Sequence, residues 1–335
     1  MRESSRKAVV ALAIGASGVL APEVRAQSAV PVNPYHLVQT FELPSGSFDV
    51  LPDGRLLAID GTGQVRIQDS INASTYSPAG SVGMVNSSGF APSFVSLSPD
   101  GSTLAVGNNE FNAGNAVLFF DAGDVMSGSA SPTASITTPN FTAAWSDNDT
   151  LFVTGADASS FATGVFRLEL SDLSATTVIE PAGGFSGDVA IQNDRLYAGE
   201  GNTGDVRSFD LDTLEMAGSS IDIASGDFVA SNASAGSIDF DSLGNIIIAG
   251  GVFDFGTGTF SGSAAVIDPL TQTTFTFTPE GADHFYGAYF NPASEQLVVT
   301  VDGTAYVYAV PSPSTAAPFV LAFCVSRRRR TRLRS

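Results

Sequence analysis

The stretch LSPDGSTLAVG, residues 97–107, decides the fold. Apolar residues lead into the turn Pro99-Asp100-Gly101, and an apolar segment follows and ends on Gly107. Proline and aspartate favour the early positions of a tight turn, and glycine accepts a positive φ. The stretch therefore predicts two antiparallel strands joined by a short turn.

The same pattern recurs along nearly the whole chain. The residues that begin the second strand of each copy are separated by 48, 47, 45, 50 and 51 positions: Leu56, Leu104, Leu151, Leu196, Ile246 and Leu297. A period of this size, built from strands and turns, is typical of four-stranded β-propeller blades. The sequence predicts an all-β, six-bladed β-propeller, because a seventh blade would need a further copy that the sequence does not contain.

The last copy supplies three strands and then meets a proline-containing motif. The isolated apolar segment Leu37–Leu43 is predicted to be its missing fourth strand. Pairing the first strand with the last blade would close the ring and remove its exposed edges. An aspartate at the end of the third strand of several copies is interpreted as a structural turn cap: Asp69, Asp121, Asp210 and Asp268.

The N-terminal 26 residues have the three parts of a secretory signal peptide. Arg2, Arg6 and Lys7 precede an apolar run, and small residues lead to a predicted cut between Ala26 and Gln27. The predicted organisation is a signal peptide over 1–26, a leader over 27–36, the propeller over 37–310 and a C-terminal segment over 311–335.

The C-terminal segment begins VPSPST at Val310, continues with an apolar stretch and ends in an arginine cluster. This order resembles the PEP-CTERM sorting signal of exported bacterial proteins, through Val310, Pro311, Pro313, Ser314 and Thr315, with Ser312 in place of the family's glutamate. The resemblance implies recognition by an exosortase-type enzyme and transient association with the inner membrane, the arginines staying on the cytoplasmic side. A retained tail anchor and a basic disordered tail are the alternatives.

Between Gln27 and Val310 the chain has five arginines, no lysine and 32 acidic residues, a net charge near −27. Such a surface repels nucleic acid and anionic lipid and attracts Ca²⁺, Mg²⁺ or cationic polymers. Solubility in a salty medium explains the same composition without a specific ion site.

No residue pattern indicates a catalytic site. The sequence lacks a Gly-x-Ser-x-Gly elbow, its two histidines are His36 and His284, and its one cysteine, Cys324, lies in the C-terminal apolar stretch. Asp49, Asp188 and Asp239 lie on or just before first strands, near the expected central channel, and are candidate Ca²⁺ ligands, since hard cations bind oxygen.

Residues 251–262, GVFDFGTGTFSG, are predicted to form a loop on the fifth blade that exposes Phe253, Phe255 and Phe260. Such aromatic residues can contact sugar or protein, and a hairpin tucked onto its own blade is the alternative. The repeats resemble a broad superfamily of bacterial propellers with Ser-Pro-Asp-Gly turns. We expect an exported cell-envelope or extracellular binding or structural module, with an exopolysaccharide or an envelope protein as partner. The alternative is a calcium-dependent propeller hydrolase such as a lactonase.

Overall fold

The computed structural model describes residues 33–108, 115–156, 163–179, 187–199, 206–218, 234–254, 256–271 and 273–310. The predicted signal peptide with its cut between Ala26 and Gln27, and the sorting-motif residues Pro311, Pro313, Ser314 and Thr315, lie outside these ranges. Val310 is described, and it packs partly buried against the core of the last blade.

The described chain forms six antiparallel sheets, which confirms the predicted six-bladed propeller. Blade 1 contains β2 (Ser47–Val50), β3 (Leu56–Ile59), β4 (Gln64–Gln68) and β5 (Tyr76–Ser81). Blade 2 contains β6 (Val95–Leu97), β7 (Thr103–Asn108), β8 (Ala116–Asp121) and β9 (Ala134–Thr137). Blade 3 contains β10 (Thr142–Trp145), β11 (Thr150–Ala156), β12 (Thr163–Glu169) and β13 (Ser174–Ile179).

The remaining blades follow the same order. The described part of blade 4 contains β14 (Val189–Gln192), β15 (Arg195–Gly199) and β16 (Val206–Asp210). Blade 5 contains β17 (Ser234–Phe240), β18 (Ile246–Asp254), β19 (Thr259–Ile267) and β20 (Thr274–Phe277). Blade 6 contains β21 (Gly287–Asn291), β22 (Gln296–Val301), β23 (Thr304–Ala309) and, as its outer strand, β1 (His36–Glu42).

The ring closes through β1, as the sequence predicted. β1 pairs antiparallel with β23, from His36 opposite Ala309 to Glu42 opposite Thr304. Beyond the strand, the Leu43 N–H donates to the Gly303 carbonyl at 2.7 Å. One N-terminal strand and three C-terminal strands thus share one sheet, which joins the two ends of the repeat array.

The core consists of apolar layers between neighbouring blades. The second strands are the most deeply buried elements: every residue of β3 and β11 is buried. Leu57 and Ile59 of blade 1, for example, belong to one cluster with Val106 and Phe120 of blade 2. Burying one such side chain contributes about 1.5–3 kcal/mol, so the interfaces between blades carry most of the stabilisation.

The recurring strand-end glycine has a packing role in blades 2 and 3. A Cβ at Gly155 would lie 2.3 Å from the Pro139 carbonyl carbon, in the connection between these blades. A Cβ at Gly107 would lie 2.6 Å from Asn140 Oδ1. Asn140 is fully buried and donates to the carbonyls of Asn108, Ala116 and Thr138. Glycine therefore lets the connecting segment cross directly over the strand.

Strand direction gives the propeller two different faces. The short turns that link first to second and third to fourth strands lie on one side, which we call the turn face. The connections that link second to third strands, and each blade to the next, lie on the other side, which we call the connection face. On the turn face, Asp210 and Asp268 accept N–H bonds from their own turns, as predicted.

The third-strand aspartate of blade 2 caps a helix instead of a tight hairpin. Asp121 accepts the Asp124 N–H at 2.9 Å and begins α1 (Ala122–Ser127), whose Val125 is fully buried. The segment after α1 bonds to β5 of blade 1, with the Ala130 N–H donating to the Ser81 carbonyl. No helix in the described ranges is both long and apolar enough to cross a membrane.

Closure through β1 predicts a large effect at Phe41. Phe41 is 4% exposed and packs with Leu56, Val298 and Val307, whereas Val38 on the same strand is 47% exposed. We expect Phe41→Ala to lower the free energy of unfolding by about 3–5 kcal/mol. Val38→Ala is the matched control and should change it by less than about 0.5 kcal/mol. Urea unfolding followed by tryptophan fluorescence measures both, and equal effects would contradict closure through β1.

Candidate functional site: the central channel

The first strands of the blades surround a cavity of about 270 Å³ at the centre of the ring. Its lining combines aromatic rings, hydroxyl groups and three carboxyl groups. The principal residues are Phe48, Asp49, Phe94, Ser96, Thr142, Asp188, Ser237, Asp239, Tyr289 and Thr300. The structure therefore brings all three aspartates predicted from the sequence to one channel.

Asp49 and Asp239 each connect the first strand of their own blade to that of the next blade. Asp49 accepts the Val50 N–H at 2.7 Å with Oδ1 and the Leu97 N–H of blade 2 at 2.7 Å with Oδ2. Asp239 accepts the Phe240 N–H at 2.8 Å and the Phe290 N–H of blade 6 at 2.7 Å. The two carboxylates thus form equivalent hydrogen bonds, one at the interface of blades 1 and 2 and one at that of blades 5 and 6.

Asp188 makes the equivalent bonds from a position two residues earlier, directly before the first strand of blade 4. It accepts the Val189 N–H at 2.8 Å and the Ile238 N–H of blade 5 at 3.0 Å. At the interface between blades 5 and 6, the Ser237 hydroxyl accepts the Ala288 N–H at 3.2 Å. Polar side chains on or just before first strands therefore form hydrogen bonds that join neighbouring blades.

Strand register shows that this pattern is not uniform around the ring. The residues that directly follow Leu56, Leu104, Leu151, Leu196, Ile246 and Leu297 are paired with Asp49, Ser96, Ala144, Ala190, Asp239 and Tyr289. Blades 1 and 5 have a carboxylate there, and blade 4 has its carboxylate earlier, at Asp188. At the interface of blades 2 and 3, the Trp145 indole N–H instead donates to the Ser96 carbonyl at 3.4 Å.

Burial changes the acidity of the channel carboxyls. Loss of water contact raises the pKa of Asp49 to about 6 and that of Asp188 to about 6, although the N–H bonds oppose the shift. Burial also raises the pKa of Asp239 to about 6, and the charges of Asp188 and Asp49 add to that shift. Burial raises the pKa of Tyr289 as well. The channel is thus a poorly hydrated, electronegative space.

One wall of the channel is aromatic. The rings of Phe48 and Tyr289 meet edge to face with centroids 5.8 Å apart, and Phe94, which is almost fully buried, lines the same cavity. These rings and the backbone of the first strands limit access of water to the carboxylates, which explains their raised pKa values.

The three aspartates predicted as Ca²⁺ ligands are all bonded to backbone N–H groups. They come from blades 1, 4 and 5, and both oxygens of each carboxylate already accept backbone N–H bonds. Among the described residues, no group of three or more His, Cys, Asp or Glu side chains is placed to hold a metal ion. The assignment of Asp49, Asp188 and Asp239 as Ca²⁺ ligands thus stays a prediction.

The two histidines lie away from the cavity lining. His36 is exposed at the start of β1. His284 lies in the connection from blade 5 to blade 6, with Nδ1 2.7 Å from Asp302 Oδ2 in the turn between β22 and β23. This contact joins the connection to blade 6 on the connection face.

The predicted aromatic loop of blade 5 is mostly a hairpin. Phe253 and Phe260 lie on β18 and β19 and pair directly across the two strands, which corrects the loop prediction. Phe255 lies outside the described residues. The hairpin contacts the next connection, where the Gly262 N–H donates to the Ala282 carbonyl at 2.8 Å. β18 and β19 are each nine residues long, and their pairing continues past Gly251 opposite Gly262 to Asp254 opposite Thr259.

The channel carboxylates predict that mild acid stabilises the fold. Their folded-state pKa values lie above the ordinary value of 3.8, so between about pH 4 and 6 the folded chain binds more protons than the unfolded chain. The free energy of unfolding therefore falls as the pH rises through that window. We expect the urea midpoint to be higher at pH 5 than at pH 7.

Asp239→Asn tests whether the channel causes this dependence. We expect the difference between pH 5 and 7 to shrink by about a third, because one of three similar groups is lost. At pH 5 the variant should also lose about 1–3 kcal/mol, because an amide cannot accept both N–H bonds. Asp172→Asn, at an exposed turn, is the control, and an equal reduction there would show that the channel is not responsible.

Comparisons with known proteins show the fold and no family. No family model and no curated protein matches the chain. The extracellular domain of a one-component system from B. thetaiotaomicron is similar with a TM-score of 0.51 and 15% identity, over 81% of this chain and 33% of that chain. The chain thus spans about a third of that protein's length.

Two other solved structures are covered almost completely. A chain of the mitotic checkpoint complex matches with a TM-score of 0.54 and 13% identity, over 91% of this chain and 99% of that chain. A TolB-type protein from Agrobacterium tumefaciens matches with a TM-score of 0.50 and 14% identity, over 82% and 91%. At these identities the similarity establishes the β-propeller architecture alone.

Proposed function

We propose that this chain is an exported β-propeller of the cell envelope or extracellular space that acts as a binding or structural module. The observation that carries the proposal is that the channel carboxylates form bonds between blades. Asp49, Asp188 and Asp239 hold adjacent blades together through backbone N–H bonds. The polar groups at the centre of this propeller therefore build the scaffold, and the loops remain for recognition.

Export is supported by the sequence at both ends of the chain. The predicted cut between Ala26 and Gln27 would release the leader and propeller outside the cytoplasm, and the PEP-CTERM-like segment from Val310 would deliver it to an exosortase-type enzyme. The similar structures include an extracellular domain and a TolB-type protein, which is consistent with a propeller that works outside the cytoplasm.

The charge of the propeller restricts the partner. With five arginines and 32 acidic residues between Gln27 and Val310, it repels nucleic acid and other polyanions at moderate salt. A neutral or cationic exopolysaccharide or a basic envelope protein fits this surface. We therefore place the partner of the module among these two chemical classes.

Intact-mass measurement tests the export and sorting steps. In a host with an exosortase-type enzyme, we expect the mature chain to begin at Gln27 and to lack Arg327–Ser335. In a host without that enzyme, and for Pro313→Ala in either host, the tail should remain. Retention of Arg327–Ser335 by the native chain in both hosts would contradict sorting and favour a permanent anchor.

A second measurement separates the module from the calcium-dependent hydrolase. We expect the mature propeller to hydrolyse no lactone in millimolar Ca²⁺, and its melting temperature to be unchanged by the ion, because the channel carboxylates are used to bond neighbouring blades. Lactone hydrolysis that is abolished by Asp239→Asn but kept by Asp172→Asn would replace the proposed function with an enzymatic one.

A further inference from the structure

Both ends of the propeller leave from the turn face. β22 runs from the turn face to the connection face, so β23 returns and ends on the turn face at Ala309. β1 is antiparallel to β23, with His36 opposite Ala309, so it begins on the same side. The C-terminal segment therefore starts at the edge of the turn face, on blade 6.

The link from this edge to the apolar stretch is short. Only Pro311–Thr315 separate Val310 from Ala316. Five extended residues span at most about 17 Å, and two of them are prolines with a fixed φ. The radius of gyration expected for a propeller of this length is about 19 Å. A link this short cannot reach around the propeller, so an apolar segment seated in a bilayer would hold the turn face towards it.

The turn face also exposes apolar side chains at the tips of its turns. Leu270 is 92% exposed and Leu243 is 53% exposed, both on blade 5 next to the exit of the chain. Leu173 on blade 3 is exposed in the same way, and Met216 on blade 4 is exposed just after its turn, where it bridges to Phe209. Turn tips are normally polar, so exposed leucines at these positions are unusual.

We propose that the turn face is the membrane-facing side of the propeller, with its apolar turn tips, Leu243 and Leu270 foremost, contacting the lipid surface while the C-terminal segment is in the bilayer. This inference rests on the proposed function, because it takes the C-terminal segment to enter a membrane. The connection face, with the longer connections and the His284–Asp302 pair, then faces away from the bilayer and is free for a partner.

The negative charge of the turn face determines which lipid headgroups it can contact. Asp172, Asp212 and Asp268 lie on the same turns as the apolar tips. Asp268 also accepts the Leu270 N–H at 2.8 Å, which holds the tip in place. These carboxylates repel anionic headgroups. Zwitterionic lipid is therefore the expected surface, and contact should weaken as anionic lipid is added at low salt.

Single-cysteine labelling of the full chain tests the orientation. In a Cys324→Ser background, Leu270→Cys and Phe90→Cys place an environment-sensitive fluorophore on the turn face and on the connection face, where Phe90 is 72% exposed. The probe surface is phosphatidylcholine vesicles with nitroxide-labelled lipid. We expect quenching at position 270 to exceed that at position 90 at least twofold.

A second pair of variants tests the turn tips themselves. Leu243→Ser with Leu270→Ser should weaken vesicle binding of the full chain about tenfold, because binding scales with the apolar area buried at the interface. Met84→Ser with Phe90→Ser, on the connection face, is the matched control and should leave binding unchanged. Equal quenching at both label positions, or equal loss for both variant pairs, would overturn the inference.

Vesicle flotation separates this inference from the proposed function. If the full chain floats with the vesicles but position 90 is quenched as much as position 270, membrane entry stands and the orientation is wrong. If the full chain does not float, the membrane step of the proposed function fails, and the orientation fails with it.

Discussion

The inner strands of blades 2, 5 and 6 present backbone N–H groups to the neighbouring blade, and the rest of the structure depends on how they are bonded. A sheet edge without partners is costly when it is shielded from water. In this protein the carboxylates of Asp49, Asp188 and Asp239 and the hydroxyl of Ser237 accept these N–H groups across blade interfaces. At three of the six blade interfaces, one set of bonds therefore pairs edge N–H groups, joins the blades and gives the channel its negative charge.

This arrangement explains why the channel is acidic. A carboxylate that accepts two N–H bonds is oriented along the strand edge, and its neighbours are one or more blades away. The backbone dipoles offset part of the cost of burying each charge, and the remaining cost appears as raised pKa values. Acidic residues near a propeller axis can therefore be explained by bonds between blades as well as by a bound cation.

Much of the architecture could be predicted from the sequence because blade repeats are local. The spacing of Leu56, Leu104 and their counterparts gave six blades, and the three-stranded last copy gave closure by the first strand. The role of Asp49 could not be predicted, because its partner, Leu97, lies one full repeat away and is recognised through its backbone. The period itself was the missed signal, since each aspartate precedes its partner by 48 to 51 residues.

Ring closure and the position of the chain ends are one consequence of the same topology. A last blade built from three C-terminal strands and one N-terminal strand needs the two terminal strands to be antiparallel neighbours. The last strand must then end, and the first strand begin, on the face that carries the short turns. Closure through β1 thus assigns any terminal segment to the turn face and leaves the connection face clear. If the C-terminal segment enters a membrane, the pairing of β1 with β23 both stabilises the ring and determines which face points to the membrane. The difference between the two faces therefore follows from strand order alone.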